Sequence, residues 1–94
     1  MKFDTGNCYA TPGALDAIER AGVSFAELLG RHVRGDWGDL GNEDRAANIQ
    51  ALRHGSRIFS AYHLKSGARV WVITEAVSDD GQRASTTLML PADY

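Results

Sequence analysis

The sequence predicts an α+β fold: three N-terminal helices packed on a C-terminal three-stranded antiparallel meander. Three observations point there. Apolar residues recur every three to four positions as far as Gly55, alternate from Arg57 onward, and are joined in the second half by turns too short for a parallel crossover.

Residues 1–10 carry no clear period, with Asn7 to Ala10 readable as a short edge strand. Thr11-Pro12 reads as an N-cap followed by proline at the first helical position, where its missing N–H costs nothing. Ala14, Leu15, Ile18 and Ala21 follow at helical spacing, and Gly22 supplies a left-handed stop. Ser24-Phe25-Ala26-Glu27 then fits a capping box, with Val23 and Leu28 at the hydrophobic-staple positions. Phe25, Leu28, Leu29 and Val33 form the apolar stripe of this second helix, which Gly35 ends.

Gly35 to Gly41 reads as a loop, because Gly35, Gly38 and Gly41 interrupt helix and strand alike. Asn42 or Asp39 caps a third helix running to about Arg53, with Glu43 and Asp44 in its first turn and Arg53 in its last, the order the helix dipole favours. Its apolar content is thin (Ala46, Ala47, Ile49, Ala51 and Leu52), so it should pack through its alanines and expose a wide polar face. Ile58, Ser60, Tyr62 and Leu64 then alternate with Arg57, Phe59, Ala61 and His63, and Lys65-Ser66-Gly67 is a hairpin connection. Arg69 to Thr74 is nearly all β-branched or aromatic and reads as the central strand. Ser78 to Gly81 turns the chain, and Ala84 to Leu90 forms the last strand, stopped by Pro91. One face of the sheet should carry the helices.

The 94 residues suit a single domain. A chain of this size buries roughly 60–65% of its unfolded surface, which leaves little room for a deep substrate pocket. The net charge of −2 comes from ten basic and twelve acidic side chains spread along the chain. It matches neither the positive surface of a nucleic-acid binder nor the dense acidity of a DNA mimic. Cys8 is the only cysteine, so an internal disulfide is excluded. No stretch approaches ~18 apolar residues and the N-terminus lacks a signal-like apolar run, so the expected compartment is cytoplasmic, away from membranes.

The run Gly35-Asp36-Trp37-Gly38-Asp39, then Glu43-Asp44, Asn48, Ser60-Ala61-Tyr62 and Gly67, followed by Trp71 to Ala76, Thr86-Thr87, Leu90-Pro91 and Tyr94, resembles a family of short bacterial proteins. They are found largely on plasmids, integrative elements and related mobile DNA, and some carry names borrowed from type I restriction systems. The resemblance covers residues from about 11 to 94, but its motifs correspond to no catalytic motif, and the turn at Ser78 to Gln82 is longer than the family's. A methyltransferase reading fails on chemistry. Such an enzyme needs a doubly wound sheet and room for a flipped base, whereas the glycines of this chain lie between two helices. What the resemblance implies is a setting, the accessory proteins of mobile DNA.

Candidate residues fall into three groups. Asp36 and Asp39 flank Trp37 in the glycine loop; aspartates there read as turn or cap chemistry or as a partner-binding loop, and the oxygen spacing of a calcium loop is absent. Trp37 either folds back to plug the core or protrudes as an anchor. Arg53, His54, Arg57, His63 and Arg69 converge if the third helix ends against the first two strands, and they then read as plain solvated charge, as a polar interaction face or as the surface of a small ribonuclease. His32 reads as a cation at a helix C-terminus, and Glu75 as a cross-strand partner of Arg69 or Arg83. The three histidines lie on different elements, so a metal site is not expected, and neither is a cofactor.

The leading expectation is a non-enzymatic protein that binds and occludes a protein partner, most concretely a host defence complex inhibited in the manner of an anti-CRISPR or anti-restriction protein. Its contacts would be Asp36, Trp37, Asp39, Arg53, His54, Arg57 and Arg69. A ribonuclease toxin or toxin–antitoxin component using the Arg/His cluster is the alternative. A homodimer paired through the edge strand at Ala84–Leu90 is a third expectation.

Overall fold

Asn7–Ala10 forms a strand that precedes every helix, and its position changes the topology of the sheet. The computed structural model describes residues 3–94; Met1 and Lys2, part of the aperiodic stretch, lie outside the described residues. In chain order the elements are β1 (Asn7–Ala10), α1 (Pro12–Arg20), α2 (Phe25–Arg34), α3 (Asn42–His54), β2 (Ile58–His63), β3 (Arg69–Thr74) and β4 (Ser85–Met89), closed by a 3-10 turn at Pro91–Asp93.

The sheet has four strands in the order β1-β4-β3-β2, with β1 parallel to β4 and the other neighbours antiparallel. This corrects the expected arrangement of N-terminal helices on a three-stranded antiparallel meander. The fold is α+β, but a strand comes first and the sheet is mixed. A strand of four residues is too short to show a period, and its parallel partner lies far along the chain, so neither is visible in local pattern. The expected dimer edge is corrected too, since β4 is flanked by β1 and β3 and has no free side.

Caps set the helix boundaries. The Thr11 hydroxyl accepts from the Ala14 amide at 3.2 Å and the Ser24 hydroxyl from Glu27 at 3.0 Å. Thr11 also donates to Asp93 at 2.7 Å, tying the start of α1 to the final turn. The cap of α3 is Gly41, which supplies no side-chain bond, rather than Asn42 or Asp39.

One sheet face carries the core. Ala14 and Ile18 of α1 and Leu28 of α2 pack with Tyr62, Leu64, Val70, Val72 and Leu88. α3 is not part of this cluster. Its buried residues are Asn48 and Ala51, and it runs along β2, where Asn48 Nδ2 donates to the Phe59 carbonyl at 2.7 Å and Asn48 Oδ1 accepts from the Phe59 amide at 3.0 Å. The thin apolar content of α3 thus fits a helix that closes a sheet edge instead of covering a face.

Within the core lies a chain of polar groups. His32 is fully buried, its Nδ1 2.5 Å from Ser60 Oγ and its Nε2 2.9 Å from Thr74 Oγ1. Thr74 lies 2.7 Å from Thr86 Oγ1, which donates to the Thr5 carbonyl at 2.8 Å. Burial pushes the imidazole down to about 4, so His32 is neutral near pH 7 and not the helix-end cation that its arginine neighbours suggest.

Candidate interaction face

The face of the sheet opposite the core is built by strand parity. Phe59, Ala61 and His63 of β2 share it with Arg69, Trp71 and Ile73 of β3 and Thr87 and Met89 of β4, because residues directly opposite in register point to one side. α1 and α2 occupy the other face. The Trp71 ring packs edge-on against Phe59, with centroids 5.2 Å apart, and against Tyr94, 5.8 Å away. Tyr94 is 71% exposed, and the Arg57 guanidinium lies 5.4 Å from its ring centroid while donating to its hydroxyl.

Two shallow clefts flank this aromatic shelf. One, of about 360 Å³, runs between Arg57, Phe59, Trp71 and Tyr94; the other, of about 200 Å³, lies between Trp71, Phe59, His63 and Arg69. Asp44 lines both. At the far end His63 Nδ1 bonds the Asp39 carboxylate and Arg69 Nε donates to His63 Nε2 at 2.8 Å. Those partners put the imidazole proton on Nδ1, where it donates to Asp39, and engage Nε2 as an acceptor. The shelf is therefore apolar in the middle and charged at both ends, with Arg57 at one and the Asp39–His63–Arg69 chain at the other.

The glycine loop reaches this face because it pairs with the outer side of β2. The Asp39 amide donates to the Ala61 carbonyl at 2.8 Å and the Ala61 amide to the Trp37 carbonyl at 3.1 Å. Gly38 permits that approach, since at its φ of 75° a Cβ would stand 2.2 Å from the Ala61 oxygen. Asp36 is held on two sides. Arg31 donates to its carboxylate at 2.7 and 3.2 Å, which keeps the acid below the usual carboxylate range, and the Tyr62 hydroxyl donates to its carbonyl at 2.7 Å. Arg31 also stacks 4.4 Å from the Tyr62 ring centroid, and burial pushes that phenol up to about 12.

The predicted contact residues do not all meet. Arg57, Asp39 and Arg69 border the outer face, together with His63. Trp37 is only 7% exposed and takes the plugging arrangement of its two alternatives, with an indole N–H that finds no acceptor. Arg53 and His54 line a separate cleft of about 440 Å³ with Phe3, Asp4, Gln82 and Arg83, so they do not converge with Arg69. Asp36 is committed to Arg31. Arg83, buried, donates to the carbonyls of Ala51, Ser56 and Glu75, so its link to Glu75 runs through the main chain and not through the carboxylate expected to pair with it. Phe59, Trp71, Asp44 and Tyr94 were missing from the predicted contacts. One signal was readable for Phe59, which falls in the phase of Arg57 and His63, opposite to the core phase of Ile58 and Tyr62.

Among the described residues no group of three or more His, Cys, Asp or Glu side chains is arranged to hold a metal ion, and no helix is long and apolar enough to cross a membrane. No family model, curated protein or solved structure matches the chain.

Proposed function

We propose that this chain is a non-enzymatic binding protein that occludes a partner protein with the outer face of its sheet. The carrying observation is the shelf of Trp71, Phe59 and Tyr94 between Arg57 and Arg69, aromatic and arginine side chains being those that anchor protein interfaces. Asp44 lines both clefts, Asp39 lines one of them and the net charge is −2, so a protein surface of mixed charge suits this face better than a polyanion. Its most concrete form is an inhibitor of a host defence complex, encoded on mobile DNA; that setting rests on the resemblance of the residue pattern.

The test is a challenge assay. Cells carrying a defined CRISPR–Cas or restriction system are exposed to phage or plasmid with and without this protein. Expression should restore plaque or transformant numbers by orders of magnitude, and Trp71→Ala and Arg57→Ala, confirmed folded, should not. Unchanged protection by every defence, with no stoichiometric complex between purified components, would remove this reading.

The Asp39–His63–Arg69 chain favours a second reading, a ribonuclease component, because a carboxylate orienting an imidazole beside an arginine is a general-base arrangement. Against it, Arg69 occupies the Nε2 lone pair that a base needs. Overexpression would then arrest growth and His63→Ala relieve it; intact messenger RNA during overexpression excludes it.

A further inference from the structure

The two edges of the sheet are finished in opposite ways. Along β2 the outward groups of Phe59 and Ala61 are satisfied: Asn48 takes the amide and carbonyl of Phe59, and the loop at Trp37 to Asp39 takes those of Ala61. Along β1 nothing comparable exists among the described residues. The Asn7 and Thr11 amides donate to the Ala84 and Leu88 carbonyls at 3.1 and 2.9 Å, so the parallel ladder uses alternate residues, and the N–H and C=O groups of Cys8 and Ala10 point away from the sheet. Asn7–Ala10 holds no proline and no charge, the residues that commonly blunt an edge. Tyr9, opposite Thr87 on the outer face, is 54% exposed.

We infer that β1 pairs antiparallel with β1 of a second copy of this chain, doubling the sheet across a twofold axis at Tyr9. About that axis Cys8 of each copy exchanges N–H···O=C bonds with Ala10 of the other. The two Tyr9 residues then face each other at a non-hydrogen-bonded position, where cross-strand side chains approach most closely. The occupant is a second copy because the edge is its own complement. Its outward groups are disposed symmetrically about Tyr9, and pairing covers two exposed aromatic rings at once. The contact is independent of the partner-binding reading, since Arg57, Trp71 and Arg69 lie on the two strands farthest from β1 or next to them.

The test is the solution mass by light scattering after gel filtration, over a wide range of protein concentration. Reducing buffer keeps the exposed Cys8 from coupling copies covalently. The mass should rise with concentration from 10.2 kDa toward twice that value. Cys8→Pro removes an outward N–H that makes no bond to β4, and Tyr9→Lys sets like charges opposite each other; both should stay at the monomer mass while Cys8→Ser dimerises. Hydrogen exchange on the unaltered protein gives a reading free of folding effects, the Cys8 and Ala10 amides becoming protected as concentration rises. A monomer at every concentration would overturn the inference, as would a dimer that survives both variants. Protection of those amides only on adding a different protein would overturn it in favour of a foreign strand.

Discussion

Asn48 acts as one residue of an additional strand against Phe59: its carboxamide, 1% exposed, donates to the Phe59 carbonyl at 2.7 Å and accepts from the Phe59 amide at 3.0 Å. A side chain on a helix thereby completes the hydrogen bonding of a strand edge, which explains why α3 stays docked with so few apolar residues. Asn48→Ala should lower stability by ~2–3 kcal/mol, because two main-chain groups lose their partners where water enters poorly. Asn48→Asp should be no better, since a carboxylate oxygen then opposes the Phe59 carbonyl. Denaturant unfolding measures the loss, and faster exchange of the Phe59 amide locates it.

Gly38→Ala tests the loop bridge. The added methyl would sit 2.2 Å from the Ala61 oxygen at a φ of 75°, so the loop must peel away from β2. The expected cost exceeds ~1 kcal/mol, with the Ala61 amide losing protection.

His32 makes stability depend on pH in one direction. Its imidazole is pushed down from 6.5 to about 4 by burial, so between those values the unfolded chain binds a proton there that the folded chain does not. Its contribution is full above pH 6.5, falls as the medium is acidified and levels off near pH 4, for a total on the order of 3 kcal/mol. Unfolding free energies from pH 7.5 downward, compared with those of His32→Gln, should show a slope in the parent that the variant lacks.

Tyr62→Phe removes one bond, the 2.7 Å donation to the Asp36 carbonyl, while leaving the ring under Arg31. A loss of ~1 kcal/mol is expected, with the glycine loop loosened. Far-UV circular dichroism should not change.

The two tryptophans report on the two sides of the site. Trp37 is buried, whereas Trp71 is half-buried beside open clefts, so acrylamide should quench Trp71 and spare Trp37. Trp37→Ala should cost ~3–5 kcal/mol by opening a cavity, and Trp37→Phe much less, because it also removes the unpartnered indole N–H.

Much of the local structure is legible in residue order. Thr11 and Ser24 cap the helices they were expected to cap, and the alternation from Ile58 onward puts Tyr62 and His63 on opposite sides, while only the fold shows that Tyr62 is the inward one. The candidate site was legible only in part. Arg57 and Arg69 do border one face, but Arg53 and His54 meet them only if the end of α3 abuts the first two strands, and they line a different cleft instead. Trp71 reads from the sequence as a residue of the central strand, and nothing near it in the chain indicates that Phe59 and Tyr94 will pack against its ring.

Helix starts, turns and strand phase arise from interactions within a few residues, such as a hydroxyl meeting an amide three positions on, so the order of residues specifies them directly. The parallel seating of β1 on β4, the burial of a neutral His32 among Ser60 and Thr74, the sealing of β2 by Asn48 and the gathering of the aromatic shelf join groups remote in the chain. Each depends on which surfaces remain to be covered once the whole chain has collapsed, and no local pattern holds that information.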